Sequence, residues 1–418
     1  MSRVIWRIMP LLTLCWIIAT IDRSNVGFAK LQMTGSLGMS EAAFGLGSSL
    51  FFVGYLVFEI PSALAAHRYG ARLWIARIMF TWGLATILLG FVSSASMFYL
   101  MRFTLGVAEA GLYPAALYYI SLWFPQSQMA RATGFFTVGS ALGNASGSLI
   151  AGPLLDLNGV MGLEGWQWIF LATGILPVAV SLTVLKWVVD TPAVATFLTV
   201  PERSRVLELA ARGQDAVQSG HALRVILDRR VMGYVVTYVL ILVALYGVIY
   251  WSPTVIKSFG VTGVENGLLN AAPWLVAAVL LLTLMPKFKQ RRSVLAVLAF
   301  ITSLGAICFV VAAAANNDAI RYLALLIGTP CISLSIACFW TLPIRMFHGA
   351  HNAVAIATIS TLGNLGGLIA QNLMPALASS GGGPATALWA PGICLAVIAL
   401  GSLVYASRIQ AQPRTAHP

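Results

Sequence analysis

The run Met101-Arg102-Phe103-Thr104-Leu105-Gly106-Val107-Ala108-Glu109-Ala110-Gly111 carries a cation and an anion seven residues apart inside an apolar stretch spanning about 97–122. Seven residues are two turns of α-helix, so Arg102 and Glu109 share one face. A second stretch, between Pro10 and Ala29, holds Asp22, Arg23 and Asn25 in the same apolar surroundings. A charge at membrane depth is costly unless it faces a protein interior or a water-filled cavity. Two charges of each sign therefore point to a pathway for something charged.

Around these stretches the 418 residues are 59% hydrophobic and 9% charged, with a mean hydropathy of +0.86. That is the composition of a polytopic membrane protein. Runs long enough to cross a hydrocarbon core of ~30 Å occur at 4–28, 41–66, 72–93, 97–122, 129–152, 165–188, 231–258, 262–286, 291–314, 318–343, 350–378 and 385–408. The run after Arg7 is too long for the apolar core of a signal peptide and reads as a retained first transmembrane helix. The expected fold is all-α, with twelve transmembrane helices in two six-helix halves: an amino-terminal half at 1–190, a cytoplasmic central loop at 191–230 and a carboxy-terminal half at 231–418. Within the loop, 201–212 reads as a short amphipathic helix on the inner membrane surface and 213–220 as a loop.

The net charge of +12 does not mark a nucleic-acid binder, because of where the charge lies. With the amino terminus inside, all but five of the 25 Lys and Arg fall on inward segments. Lys30, Lys257 and Arg321 fall outward, and Arg23 and Arg102 are intramembrane. This positive-inside bias places both termini in the cytoplasm. Cys15, Cys308, Cys331, Cys338 and Cys394 all lie in apolar runs and read as small buried hydrophobes, with no disulfide or metal-ligand spacing.

The two halves echo one another. A basic turn, His67-Arg68-Tyr69-Gly70-Ala71-Arg72, follows the second helix, and Pro286-Lys287-Phe288-Lys289-Gln290-Arg291-Arg292 follows the eighth. Parallel six-helix repeats place a binding site between the halves near the midplane, with access alternating as one half rocks against the other.

On these features the sequence resembles the major facilitator superfamily. Asp22-Arg23-Ser24-Asn25-Val26-Gly27-Phe28-Ala29 is similar to the helix-one signature of its anion:cation symporter branch, and Arg102 to Glu109 followed by Ala110-Gly111-Leu112-Tyr113-Pro114 to its helix-four signature. Phe52-Val53-Gly54-Tyr55, Glu59-Ile60-Pro61-Ser62, Gly70-Ala71-Arg72, Trp74-Ile75-Ala76-Arg77, Gly165-Trp166-Gln167-Trp168 and Gly363-Asn364-Leu365-Gly366-Gly367 continue the likeness along nearly the whole chain. The nearest members by resemblance are bacterial permeases for tartrate-like hydroxy acids, 4-hydroxyphenylacetate and phthalate. The resemblance implies proton-coupled uptake of an organic anion across a bacterial inner membrane, with Asp22 and Glu109 as proton carriers and Arg23 and Arg102 as anion contacts. The chain departs from the family pattern at Thr20, where relatives commonly carry an aromatic residue, and at Gln371 in place of a proline. It departs also at Thr173, and at His67 and Pro286 in the two turns.

A rise of about 1.5 Å per residue puts Asp22, Arg23 and Arg102 in the outer half of the membrane and Glu109 near its centre, a descending ladder. With both carboxylates ionised the two guanidinium groups are neutralised. Protonating Asp22 or Glu109 leaves a surplus positive charge, so proton and anion favour each other. Arg suits the anion contact through its planar fork. The alternative is that the four charges form two fixed ion pairs locking helices one and four. Further pocket candidates are Tyr55, Tyr246, Asn144, Asn364, Gln371 and Thr20, and the gating candidates are Glu59, Arg68, Arg72 and Arg131. Gly139, Gly143, Gly147, Gly363, Gly366 and Gly367 read as close helix packing. The hydrogen-bonding groups favour a hydroxylated carboxylate such as a tartrate-like acid; Tyr55, Tyr113, Tyr246 and Trp251 suit an aromatic carboxylate equally well. An exchanger or uniporter without proton coupling is the rival mechanism. The sequence holds no Gly-x-Ser-x-Gly elbow, His-Glu-x-x-His or Walker loop, which argues against an enzyme and against a cofactor or metal. His348 and His351 fall in an inner loop. A monomer in the lipid bilayer, with a small organic anion and protons as its partners, is the expected working state.

Overall fold

The computed structural model describes residues 2–211, 225–284, 291–343 and 349–411. The 213–220 loop, the turn at 286–290 and His348 lie outside them, as do the side chains of Arg131 and His351. The described residues are helical with no strand among them. In chain order the helices are α1 (Ser2–Ser36), α2 (Glu41–Tyr69), α3 (Ala71–Leu89), α4 (Ala95–Glu109), α5 (Leu112–Trp123), α6 (Gln126–Leu155), α7 (Gly165–Trp187) and α8 (Val200–Ala211). They continue as α9 (Arg229–Lys257), α10 (Gly263–Leu284), α11 (Arg291–Ala314), α12 (Asp318–Trp340), α13 (Gly349–Gly363), α14 (Leu365–Ala378) and α15 (Trp389–Ala411). Ten described spans are long and apolar enough to cross a membrane, the stretch through α13 and α14 counting as one. The pair α4 and α5 and the helix α6 supply two more, which agrees with the twelve-span plan.

Polar side chains mark the helix ends. The Ser40 hydroxyl accepts from Ala43 N at 3.1 Å and opens α2, while Ser94 accepts from Met97 N at 3.3 Å and opens α4. Glu164 and Gln167 form a reciprocal capping box on α7. Three expected boundaries change. The run 97–122 is two helices, broken where Gly111 adopts φ +90, a left-handed conformation that costs glycine least. The run 350–378 is broken at Asn364. The first helix continues past residue 28 to Ser36, because no proline or cluster of turn residues intervenes to stop it.

Large apolar side chains such as Leu100, Leu282 and Phe300 are more than half exposed, while Asp22, Arg102 and Glu109 are buried. That inverts the pattern of a water-soluble protein and fits helices bathed in lipid. All five cysteines are buried and free.

The chain packs as two compact units. One comprises Met1–Gln218 with Ile249–Ala272, the other Ser219–Val248 with Pro273–Pro418. In the first unit α1 lies against α6 and α7, α3 against α7, and α2 against α4. The α1 and α6 contact follows a glycine stripe: Gly139 faces Thr13 and Trp16, Gly143 faces Ile17 and Thr20, and Gly147 faces Ile21 and Ser24. Lipid gives no hydrophobic drive for helices to associate, so close backbone approach supplies the van der Waals contact that does. The Asp156 carboxylate at the end of α6 accepts from Gly263 N and Val264 N, each at 3.0 Å, satisfying amides at the positive end of α10. In the second unit α11 packs on α12 and α15, and Gly363 and Gly366 lie against Tyr238 and Val239 of α9.

Candidate substrate and proton site

Asp22 and Arg23 are consecutive on α1, so their side chains leave the helix about 100° apart and meet different neighbours. Arg23 turns to α4. Its Nε and Nη2 both donate to a single oxygen of Glu109, Oε1, at 2.8 and 2.6 Å. Glu109 is the last residue of α4, immediately before the break, and is fully buried; its second oxygen, Oε2, makes no hydrogen bond. Three aromatic rings surround the Arg23 guanidinium: Tyr55 at 5.3 Å, Trp16 at 5.7 Å and Phe51 at 5.8 Å from ring centroid to guanidinium carbon. Trp16 is fixed by its Nε1 bond to Ser140 at 2.7 Å and packs on Tyr113 and Phe136.

Asp22 turns the other way, toward α3 and α7. Its Oδ1 accepts from the Thr86 hydroxyl at 2.9 Å and from Asn25 Nδ2 at 3.3 Å, and Asn25 Nδ2 also reaches Thr173 Oγ1 at 2.8 Å. Arg102 is buried, with its Nη2 on the Ser48 carbonyl at 3.4 Å and its Nε unbonded, and the Phe51 ring lies 5.0 Å from its guanidinium. Arg102 belongs to no ion pair among the described residues. The four charges therefore divide into one tight pair, Arg23 with Glu109, one hydrogen-bonded carboxylate and one buried cation.

Of the remaining candidates, Tyr55 joins the ring around Arg23. Thr20 donates to the Trp16 carbonyl at 2.8 Å and Asn144 Nδ2 to the Ser140 carbonyl at 3.0 Å, so both donors are taken by their own helices. Tyr246 on α9, Asn364 between α13 and α14, and Gln371 on α14 belong to the second unit, where Gln371 is buried with its Nε2 unbonded. Glu59 is buried on α2, near Tyr113. In the last turn of α2, the His67 ring lies tilted against Tyr118 and Arg68 lies over Tyr69. The Arg72 amide donates to Asp190 at 3.3 Å, so an acid from beyond α7 reaches the turn whose own acidic position is His67.

Sequence reasoning missed Lys30, which it assigned to an outward segment. Lys30 is buried in α1, with its ammonium 2.6 Å from Glu41, 3.3 Å from the Trp251 ring centroid and 3.3 Å from Thr254 Oγ1. Its spacing of seven from Arg23 was the available signal.

Helices apolar on the outside, charges buried within, and a helix broken directly after an ion-paired carboxylate define a multi-pass membrane protein of the transporter class. A family model described as Major Facilitator Superfamily matches residues 12–371, and the chain belongs to that family of transporters. An Agrobacterium vitis protein whose name gives it as a candidate tartrate transporter is 37% identical over 384 residues, covering 90% of this chain and 84% of that protein. The quinolone resistance transporter of Acinetobacter baumannii is 35% identical over 370 residues, covering 88% and 85%. Among solved structures, a bacterial homologue of the human lysosomal transporter Spinster aligns with a TM-score of 0.76 at 17% identity over 100% of both chains, a likeness of fold.

Proposed function

We propose that this transporter imports a small organic anion together with protons by alternating access of two six-helix halves, 1–190 and 231–418, joined by the loop 191–230. It acts as a monomer in a bacterial inner membrane with both termini cytoplasmic. Asp22 and Glu109 carry protons, and Arg23 and Arg102 hold the anion. Thr20, Tyr55, Asn144, Tyr246, Asn364 and Gln371 line the substrate path, while Glu59, Arg68, Arg72 and Arg131 act in gating.

The observation that carries this reading is the grip of Arg23 on one oxygen of Glu109 while the other oxygen is unbonded. With Glu109 ionised the pair is neutral and Arg23 is occupied. A proton added at Oε2 cancels the carboxylate charge and weakens the charge-assisted bonds at Oε1, freeing a guanidinium fork for a substrate carboxylate. Proton and anion then raise each other's affinity, as coupled transport requires.

The tartrate name of the relative supports a hydroxy-carboxylate substrate. A second reading, an aromatic carboxylate, draws support from the three rings around Arg23 and from the engagement of Thr20 and Asn144 with their own helices. Uptake of labelled tartrate, other hydroxy acids and aromatic acids into vesicles is the test. Accumulation should require an inward proton gradient and collapse with an uncoupler. Uphill uptake indifferent to the uncoupler would replace symport by exchange or by another cation.

A further inference from the structure

Many helical threonines of this chain share one habit. Thr20, Thr34, Thr81, Thr104, Thr173 and Thr302 each donate their hydroxyl to the carbonyl four residues back, the usual way a buried threonine is satisfied within a helix. Thr86 breaks the habit. It is fully buried in α3, yet its hydroxyl crosses to Asp22 Oδ1 on α1 at 2.9 Å.

The other groups around that carboxylate can only donate. Thr173 gives its hydrogen to the Ile169 carbonyl, so it must accept from Asn25 Nδ2, and this fixes the Asn25 amide with its N–H side toward Asp22. The indole N–H of Trp82, buried and short of hydrogen-bond geometry, faces the same carboxylate. The charged groups facing Asp22 are Arg102 and Glu109, both on α4, and Arg23 is its chain neighbour. A hydroxyl is the one group in this set that can donate in one state and accept in the other.

We infer that Thr86 is a positioning residue for a proton carrier at Asp22: its hydroxyl donates to the charged carboxylate, then reverses to accept the Asp22 proton while passing its own hydrogen to the Trp82 carbonyl. The second state is the arrangement those six threonines already adopt. The Thr86 hydroxyl keeps a hydrogen-bond partner in either state, so Asp22 can change charge without orphaning it. This rests on the reading of Asp22 as a proton carrier.

The test needs no substrate. The full-length protein in lipid nanodiscs is titrated by pH-difference infrared spectroscopy, and the carboxyl band absent in Asp22→Asn reports Asp22. Thr86→Val keeps the shape and removes the hydroxyl. The charge-assisted bond it loses outweighs the neutral one, so the midpoint should move up by about one pH unit, a tenfold change in proton affinity. The protonated carbonyl stretch should also rise in frequency, because its O–H has lost an acceptor. Thr86→Ser should restore both values. An unmoved midpoint and frequency in Thr86→Val would overturn the role of Thr86 and leave the proton-carrier reading standing. If no band vanishes in Asp22→Asn, Asp22 does not titrate and both fall together.

Discussion

The Arg23 to Glu109 contact can be examined by a double-mutant cycle of Arg23→Ala, Glu109→Gln and both together. The pair is held at 2.6 Å, with the Glu109 side chain fully buried and the Arg23 side chain 13% exposed. Exposed ion pairs couple by about 0.2–1 kcal/mol, and breaking a fully buried pair costs about 3–5 kcal/mol. The small exposure of Arg23 and the rings around it, each worth about 0.5–1 kcal/mol to the cation, soften the loss of its anion. A coupling of about 2 kcal/mol is therefore expected from the thermal stabilities of the four proteins. In proteoliposomes Glu109→Gln should lose gradient-driven accumulation but keep counterflow, because a permanently neutral side chain imitates the protonated state. Arg23→Ala should lose both. Coupling below about 0.5 kcal/mol, the ordinary error of additivity, together with full accumulation by Glu109→Gln, would refute the pair as the coupling element.

Lys30→Met should change tryptophan emission by removing the ammonium from Trp251, and the change should be absent when Trp251 is already Phe; about 1–2 kcal/mol of stability should go with it, read by thermal unfolding. Gly143→Val would press a branched side chain onto the Ile17 carbonyl, which a Cβ alone would approach to 2.8 Å, and should destabilise by about 1–3 kcal/mol in the same assay. At the start of α8 the backbone amide and hydroxyl of Thr199 donate to Glu202 at 2.9 and 3.0 Å, holding its carboxyl below the usual range. This cap contributes fully above the ordinary carboxylate pKa and is lost as pH falls through the lowered one. Amide exchange at the first turn of α8 should therefore quicken only in acid, and in Glu202→Gln it should lose that pH dependence.

The sequence made the membrane-spanning helices legible because lipid imposes a uniform demand for some 20 apolar residues per span. The glycine stripe of α6 was legible as well, since spacing of four on a helix fixes a face. The break after Glu109 was not, because apolar residues flank it on both sides and hydropathy runs smoothly across. Gly111 and Pro114 were its local marks, but the position of Gly111 against Ser62 of α2 is tertiary. Lys30 was hidden for a related reason. A buried ammonium is rare enough to be assigned to water by default, and of the groups that hold it Glu41 lies on the next helix and Trp251 is distant in the chain. The helix-one charges were visible as a motif, whereas the α3 hydroxyl on Asp22 and the α7 hydroxyl behind Asn25 carry no periodic signal at all.

Adjacency of Asp22 and Arg23 has a consequence for the proposed coupling. Asp22 accepts from Thr86 and Asn25 while Arg23 grips Glu109, so a proton on Asp22 and an anion on Arg23 communicate through the electric field and not through a shared hydrogen bond. The low dielectric of a buried site lengthens the reach of that field. Arg102 carries it onward, because it acts on Asp22 and faces the same Phe51 ring as Arg23, at 5.0 and 5.8 Å. The ring's negative face tolerates cations that water would otherwise have to solvate. Neutralising either carboxylate thus leaves its surplus positive charge spread over two guanidinium groups, and the anion need displace no bond on Asp22 to benefit from a proton there. Under this arrangement Asp22→Asn should lose gradient-driven accumulation while retaining counterflow, and Phe51→Leu, which removes the ring from both cations, should weaken anion binding without moving the Asp22 infrared band; a shifted band in Phe51→Leu would mean that the ring also shapes the carboxylate's own surroundings.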